Sequence, residues 1–503
     1  MKNVLEYLEN SAVKYPDKIA VADMESSCTY RQLLHNAKCI GSFLASVETP
    51  GRPIVVFMKK SLEALTAFLG IVYAGCFYIL IDPDQPVFRL NKILEVVRPE
   101  SIITLGDETE IPREIEFSGR YFPYFDLVKS ERKEDILQSV RTSSLDIDPL
   151  YCNFTSGSTG VPKGVLVSHR SVIDFMEYFP DLFHITGKDV IGNQAPFDFD
   201  VSVKDIYSTL KVGATMIIIP KKLFSIPIQL LDFICEHRVT TMIWAVSALC
   251  MISQLKGFTY RVPETVNKIL FSGEAMPLKH LKIWQKYLPE AAFVNLYGPT
   301  EITCNCTYYC IDREFELDET LPIGKAFPNE KVFLLDEQNH QIVEEGSIGE
   351  LCVSGTALAL GYYNNPEQTK KAFVQNPLNS NYLELIYRTG DLAFFNKKGE
   401  LMFAGRKDFQ IKHMGHRIEL EEIELIMNSY QEIQRACCIF DQLKNRITAF
   451  YVGAIEEKQI RSKMQEALPA YMIPNRFMPL PDLPITDNGK INRKKLLEIY
   501  GGK

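Results

Sequence analysis

Short runs of apolar and β-branched residues recur along most of the chain and alternate with stretches of helical periodicity. The runs are RPIVVFM, CFYILI, SIITL, ATMIIIP, TTMIWA, KILFSG and AAFVNLYG. Strands that alternate with helices form mostly parallel sheets covered by helices. The pattern therefore predicts an α/β fold, with a large N-terminal domain whose mixed, mostly parallel sheets are sandwiched by helices.

The pattern changes after about Gly405. The segment GRKDFQIKHMGHRIELEEIELIMNS indicates a charged connector, a short strand and an amphipathic helix, and RACCIFD, RITAFYVG and EKQIRSKMQEAL indicate two strands and a helix. A chain of 503 residues also exceeds the size at which one core keeps growing. We therefore expect an N-terminal domain over 1–404, a hinge at 405–408 centred on Asp408, and a small mobile α+β domain over 409–503.

The uncharged segment ALTAFLGIVYAGCFYILI, residues 64–81, is long enough to raise the question of a membrane helix. Gly70, Gly75 and Cys76 divide it, however, and its second part is rich in strand-forming residues. A buried helix followed by a buried strand accounts for the whole segment. We therefore predict no membrane insertion.

Composition narrows the classes of function. The net charge is −8 and no basic arm offsets it, which disfavours a nucleic-acid-binding protein. The twelve cysteines lack paired spacing and the first residues do not form a signal peptide, so we expect reduced thiols in a cytoplasmic protein. Cys304, Cys306 and Cys310 lie close together without a nearby histidine, which favours packing or pocket lining over a zinc site.

A glycine-rich stretch, FTSGSTGVPKG at residues 154–164, is the first candidate for chemistry. Bare N–H groups, hydroxyls and the single lysine Lys163 could converge on phosphate oxygens. Glycine and serine would equally suit a flexible linker, but Pro162 and the apolar flanks LYCNFT and GVLVSH favour a loop between two strands. Gly164 stands where an ordinary P-loop has Ser or Thr, so the common P-loop NTPases are disfavoured.

Five further motifs follow this loop in a fixed order: NLYGPTE, YRTGDL, GRKDFQIK, GHRIELEEIE and NGKINRKKL. With this set the chain resembles the adenylate-forming (AMP-binding) superfamily over essentially its whole length. Within the superfamily it looks most like the amino-acid adenylation enzymes, particularly the D-alanine–D-alanyl carrier protein ligases, because of the phrases DVSVKDIY and LEEIE and a length near 500.

The resemblance implies a cytoplasmic ATP-dependent amino acid–carrier protein ligase with ATP and Mg²⁺ as cofactors. Such an enzyme forms an aminoacyl-AMP and pyrophosphate, and then transfers the aminoacyl group to the phosphopantetheine thiol of a carrier protein. Two alternatives stay open at this point. One is an acyl-CoA synthetase, which the pocket residue Asp200 opposes, and the other is a catalytically silent adenylate-binding regulator.

The resemblance also implies roles for individual residues. Lys490, Thr300 and Glu301 would be catalytic, and Glu301 would hold Mg²⁺, a cation that prefers carboxylate oxygens. The ATP-binding residues would be Thr155, Ser156, Gly157, Ser158, Thr159, Gly160, Lys163, Gly273, Tyr297, Asp391 and Arg406.

In the amino-acid branch, Asp200 would pair with the substrate ammonium, while the alternative is a capping aspartate before the helix VSVKDIYSTL. The other substrate-binding positions would be Val201, Lys204, Ala248, Ser272, Leu296 and Cys304, with Asn305 as a further candidate. Ser272 departs from the D-alanine ligases, which have a cysteine there. Lys204 also departs from the expected apolar residue, and could either neutralise an acidic or polar substrate side chain or extend to water.

Overall fold

The computed structural model describes residues 1–107, 111–157, 160–442, 444–485 and 491–500. Up to residue 182 the elements are α1 (Leu5–Lys14), β1 (Ile19–Ala22), β2 (Ser27–Thr29), α2 (Tyr30–Val47), β3 (Pro53–Phe57), α3 (Leu62–Tyr73), β4 (Phe77–Ile81), α4 (Val87–Val97), β5 (Ser101–Thr104), β6 (Arg120–Pro123), α5 (Tyr124–Leu127), α6 (Glu134–Ser143), β7 (Pro149–Thr155), β8 (Lys163–Ser168) and α7 (His169–Leu182).

Strands and helices continue to alternate in the middle of the chain. They are β9 (Val190–Asn193), α8 (Val201–Val212), β10 (Thr215–Ile218), α9 (Pro227–Glu236), β11 (Thr241–Ala245), α10 (Val246–Gln254), β12 (Lys268–Ser272), α11 (Leu278–Tyr287), β13 (Ala292–Tyr297) and β14 (Thr307–Cys310). Strands then predominate: β15 (Lys325–Ala326), β16 (Glu330–Leu335), β17 (Gln341–Ile342), β18 (Gly349–Gly355), β19 (Gly361–Tyr362), α12 (Pro366–Ala372), β20 (Phe373–Gln375), β21 (Leu385–Phe395) and β22 (Leu401–Arg406).

The last part of the chain mixes short strands and helices. It contains β23 (Gln410–His413), β24 (His416–Glu419), α13 (Leu420–Asn428), β25 (Ile433–Asp441), β26 (Arg446–Gly453), α14 (Glu457–Ala467), β27 (Arg476–Pro479) and α15 (Arg493–Tyr500). The sequence pattern predicted one strand before α13, whereas the structure has two, which pair as the antiparallel hairpin β23–β24.

Two of the three large sheets are mixed and mostly parallel, as predicted. One has the order β15-β14-β13-β12-β11-β9-β10-β1-β2 and is parallel from β13 to β1. The other has the order β19-β8-β7-β4-β3-β5-β6 and is parallel from β7 to β6. The α/β class is therefore confirmed for the large part of the chain.

The third large sheet, formed by β16, β17, β18, β20, β21 and β22, is antiparallel throughout. Short connections account for the pairs β16–β17, β20–β21 and β21–β22, because a few residues can join antiparallel neighbours but not parallel ones. Between β21 and β22, for example, the chain reverses in a turn in which Gly399 N–H donates to the Asn396 carbonyl at 2.8 Å.

The segment 64–81 forms the buried helix α3 and the buried strand β4, as predicted. Burial in the core supplies the apolar environment that the run of uncharged residues requires. No helix within the described residues is long and apolar enough to cross a membrane.

The strands before and after residue 407 belong to different sheets. β22 pairs with β21 in the antiparallel sheet, whereas β23 pairs with β24 and the strands β25, β26 and β27 form a sheet of their own. The C-terminal elements also enclose a separate apolar core around Ile423, Ala449 and Met464. These features support a boundary at residues 407–409, inside or next to the predicted hinge.

Candidate active site

The glycine-rich loop connects two antiparallel strands, β7 and β8, whose last and first residues, Thr155 and Lys163, pair across the sheet. At Gly157 a Cβ atom would lie 2.1 Å from the carbonyl oxygen of Val161, so only glycine fits. The hydroxyl oxygen of Thr155 is buried without a hydrogen-bond partner among the described residues. The donors around a tight glycine turn can form an anion-binding site, and those present here, including the unpaired Thr155 hydroxyl, fit the predicted phosphate groups of ATP.

In this structure the loop binds carboxylates of the C-terminal segment. The N–H of Gly157 donates to Glu422 Oε2 at 3.2 Å, and Lys163 Nζ lies 3.6 Å from Glu419 Oε1. Ser156 accepts the N–H of Glu419 at 3.1 Å through its hydroxyl oxygen. The loop therefore already holds two anions, which shows that its donors suit negatively charged oxygens.

Whereas the loop contacts anions, the Glu301 carboxylate contacts a cation, the guanidinium of Arg417. Glu301 lies in the turn after β13 and is fully buried. Arg417 Nη1 lies 2.6 Å from Glu301 Oε2, and the Tyr362 hydroxyl donates to Oε1 at 2.7 Å. Burial alone would raise the pKa of Glu301, but Arg417 and Tyr362 outweigh it and lower the pKa to about 2. An ionised, buried carboxylate at this place fits the predicted Mg²⁺.

Tyr297, Asp391 and Arg406, which the resemblance assigns to the nucleotide, meet in one cluster. Asp391 in β21 and Arg406 in β22 are partners in the sheet register. The Asp391 carboxylate is buried and accepts hydrogen bonds from the Tyr297 hydroxyl and the Arg406 guanidinium. This cluster places a carboxylate acceptor beside an aromatic ring, the two groups expected to contact ribose and adenine.

Lys412 in β23 is a half-buried residue that the sequence analysis did not single out. Its ammonium lies 5.6 Å from the centroid of the Tyr297 ring. Burial lowers its pKa, while the charges of Asp391 and Asp200 favour the protonated form. The sequence places Lys412 in the predicted strand FQIKHM, but the motif GRKDFQIK indicated only a hinge there.

Asp200 immediately precedes α8 but makes no capping hydrogen bond with its side chain. Instead, its carboxylate lies near Thr300 and Lys204, and both favour its ionised form. Burial raises the pKa of Asp200 against their effect. The capping interpretation is therefore wrong, and the carboxylate remains available to a bound cation.

Lys204 lies one helical turn after Asp200 and is 0% exposed, so it does not extend to water. Its ammonium donates to Asn305 Oδ1 at 2.6 Å. Cys304 lies beside both groups and donates its thiol hydrogen to the Asp200 carbonyl at 3.0 Å. The structure thus brings Asp200, Lys204, Cys304 and Asn305 together.

The remaining predicted positions lie on α8 itself, on the adjacent strands β12 and β13, and on the helix that follows β11. Ala248 in α10, Ser272 in β12 and Leu296 in β13 are buried, and Val201 at the start of α8 is partly exposed. Gly273 has a φ of +98°, and a Cβ there would lie 4.0 Å from the Cα of Gly415 at the tip of the β23–β24 hairpin. Three predicted residues, Ser158, Thr159 and Lys490, lie outside the described part of the chain.

Comparisons with known proteins define the class of this chain. A family model described as "AMP-binding enzyme" matches residues 8–363, and the chain belongs to this family. It is 32% identical to zwittermicin A synthase ZmaJ of Bacillus cereus, covering 99% of this chain and 95% of that protein. It is also 31% identical to D-alanine–D-alanyl carrier protein ligase of Staphylococcus haemolyticus (strain JCSC1435), covering 99% of both chains.

The fold agrees with that family. The adenylation domain AlmE of Vibrio cholerae, solved with glycyl-adenosine-5'-phosphate, superposes with a TM-score of 0.84 at 22% identity, covering 99% of this chain and 98% of that one. Several peptide synthase relatives are much longer, and the chain spans less than half of their length. The resemblance found in the sequence is confirmed, and the chain is an AMP-forming ligase.

Proposed function

We propose that this enzyme adenylates an amino acid with ATP and then transfers the aminoacyl group to the phosphopantetheine thiol of a carrier protein. The observation that carries the amino-acid part is Asp200, a partly exposed carboxylate beside Thr300 that does not cap its helix. A simple carboxylic acid would bring no cation to this carboxylate, which disfavours an acyl-CoA synthetase. The likeness to a D-alanine–D-alanyl carrier protein ligase supports the carrier as acceptor.

In the first reaction the substrate carboxylate attacks the α-phosphorus of ATP, a P–O bond forms, and the bond to pyrophosphate breaks. The nucleophile is already an anion, so the protein supplies position and charge compensation and needs no general base. The loop donors of Gly157 and Lys163 would bind phosphate oxygens, and Lys490 would bridge the substrate carboxylate and the ribose. Mg²⁺ held by Glu301 would offset negative charge on the phosphates.

The first reaction cannot take place in the observed arrangement of the chain, because the hairpin β23–β24 and the start of α13 contact the groups that would bind phosphate and Mg²⁺. Glu419 and Glu422 contact the donors of the glycine-rich loop that would bind phosphate, and Arg417 forms an ion pair with Glu301. Glu422 is also paired with Arg89 of α4 at 3.0 Å, with both side chains buried. Phosphates and carboxylates cannot share the same donors. We therefore assign this arrangement to the second reaction, after pyrophosphate has left.

In the second reaction a thiolate attacks the aminoacyl carbonyl carbon, a C–S bond forms, and the C–O bond to AMP breaks. Negative charge then develops on the leaving phosphate. The Lys412 ammonium lies beside the Tyr297 ring, where the charges of Asp391 and Asp200 act on it, so this arrangement supplies a cation on the nucleotide side of the site. We propose that Lys412 stabilises the departing AMP.

The test of the proposed function measures both reactions on one preparation. ATP–pyrophosphate exchange is run with the twenty L-amino acids, several D-amino acids and β-alanine, and the best substrate is then used to load a phosphopantetheinylated carrier protein. We expect exchange with at least one amino acid, and a thioester on the carrier that hydroxylamine cleaves. Exchange only with acids that lack an amino group would contradict the proposal.

Asp200→Ala should abolish activation of the amino acid. Losing the partner of a charge-assisted contact in such a pocket costs about 2–5 kcal/mol, because the substrate ammonium is left unpaired. The measurement is exchange with the best amino acid and with its analogue that lacks the amino group. A selective loss of the amino acid supports the assignment, whereas equal loss of both would mean that Asp200 supports the fold.

A further inference from the structure

Lys204 is a second charged residue near Asp200, and it has no role in binding the substrate ammonium. The two residues are four positions apart on one face of α8, a spacing that places their Cβ atoms about 5–6 Å apart. Asp200 and Val201 are partly exposed, whereas Lys204 is fully buried. Asp200 therefore lies nearer the surface than Lys204, and the side chain of a substrate held by its ammonium at Asp200 would extend along this face of the helix towards Lys204.

The ammonium of Lys204 makes fewer hydrogen bonds to the described residues than it has N–H donors. A lysine ammonium has three N–H donors, and here its one hydrogen bond to the described residues goes to the neutral amide oxygen of Asn305. No carboxylate oxygen of the described chain lies within 4.0 Å of Nζ. Burial accordingly lowers the pKa of Lys204.

No nearby acidic group forms an ion pair with the Lys204 ammonium, although Asp205 Oδ1 has no hydrogen-bond partner among the described residues. Asp205 accepts a hydrogen bond from Asn193 Nδ2 at 2.6 Å, and burial raises its pKa to about 7. Burial also raises the pKa of the Cys304 thiol, which therefore stays neutral. Asp200 is assigned to the substrate ammonium. Once a substrate is bound, two cations would share the charge of Asp200, and Lys204 would be left without compensation.

We infer that the substrate is an amino acid whose side chain ends in a carboxylate, bound by Lys204. This inference rests on the proposed function and names the substrate class of the same site. The side-chain carboxylate would balance the charge of Lys204 and accept hydrogen bonds from the N–H groups of Lys204 that have no partner. Asn305 contributes as well, because its oxygen is already used by Lys204 and its Nδ2 donor makes no hydrogen bond to the described residues. Lys204 is thus a specificity-determining residue.

The experiment compares ATP–pyrophosphate exchange for aspartate and glutamate with that for asparagine, glutamine, serine and alanine, in both stereoisomers. It uses the full chain, Lys204→Met, Lys204→Gln and the control Lys211→Met, a lysine later on the same helix whose ammonium donates to the Met176 carbonyl. We expect an acidic amino acid to be the best substrate. Lys204→Met should reduce its kcat/KM by about 100-fold, the scale of a lost partner for a charged group, and Lys211→Met should leave it unchanged.

The variants also change the order of preference among substrates. Lys204→Gln should favour the carboxamide over the carboxylate of the same length, because a neutral donor no longer compensates the charge. A neutral amino acid as the best substrate of the full chain overturns the inference, whether or not the variants fold. If no amino acid supports exchange, the proposed function is wrong and this inference with it.

Discussion

Lys490→Ala is expected to abolish amino-acid-dependent pyrophosphate exchange, whereas Lys412→Ala should retain most exchange and lose carrier loading. The two lysines would serve the same site in turn. Lys490 belongs to the motif NGKINRKKL, whose likeness to the family places it at the substrate carboxylate during adenylation. Lys412 is the lysine that the hairpin β23–β24 brings next to Tyr297 in the observed arrangement. One well-placed charge at a developing anion contributes about 3–4 kcal/mol.

The measurement needs both reactions on each variant. Exchange reports the first reaction, and loading of the carrier from preformed aminoacyl-AMP reports the second without requiring the first. Lys494→Ala is the matched control, because Lys494 is an exposed lysine four positions after Lys490 in the sequence and should affect neither reaction. Loss of both reactions in both variants, with unchanged folding, would contradict the separation of roles.

The sequence predicted the elements well where burial alone decides the structure. Residues 64–81 form a helix and a strand because uncharged side chains on every face require a core on every side. It predicted the antiparallel sheet less well, since the pairing of β16 to β22 depends on turn connections that an apolar pattern does not specify.

For the site, the motifs identified individual residues but not their partners. Asp391 and Arg406 lie in different motifs, and only the register of β21 and β22 makes them neighbours. The contacts of Glu419 and Glu422 with the glycine-rich loop depend on where the hairpin docks, which is a tertiary property. Lys204 illustrates the same limit, because the sequence left two environments open and the burial of the helix decided between them.

The hinge can be tested at Asp408. β22 is fixed in the large antiparallel sheet, and Lys407 N–H still donates to the Gly390 carbonyl at 2.9 Å, whereas β23 belongs to the hairpin in the active site. The Asp408 carboxylate contacts both sides, since it accepts from Arg406 Nε at 2.6 Å and from Gln410 N–H at 3.2 Å. A change of arrangement must therefore be absorbed by a few backbone dihedrals around this residue.

Asp408→Pro should keep much of one reaction and impair the other, and we expect thioester formation to suffer. Proline fixes φ near −65° and removes the N–H donor, so it should exclude one of the two arrangements that the chain must adopt. Asp408→Ala is the control, because it removes the carboxylate contacts with Arg406 and Gln410 but leaves φ free. Pyrophosphate exchange and carrier loading are measured on the same preparation of each variant. If Asp408→Pro lowers both reactions in proportion, or if Asp408→Ala reproduces its effect, backbone rotation at Asp408 is not what connects the two reactions.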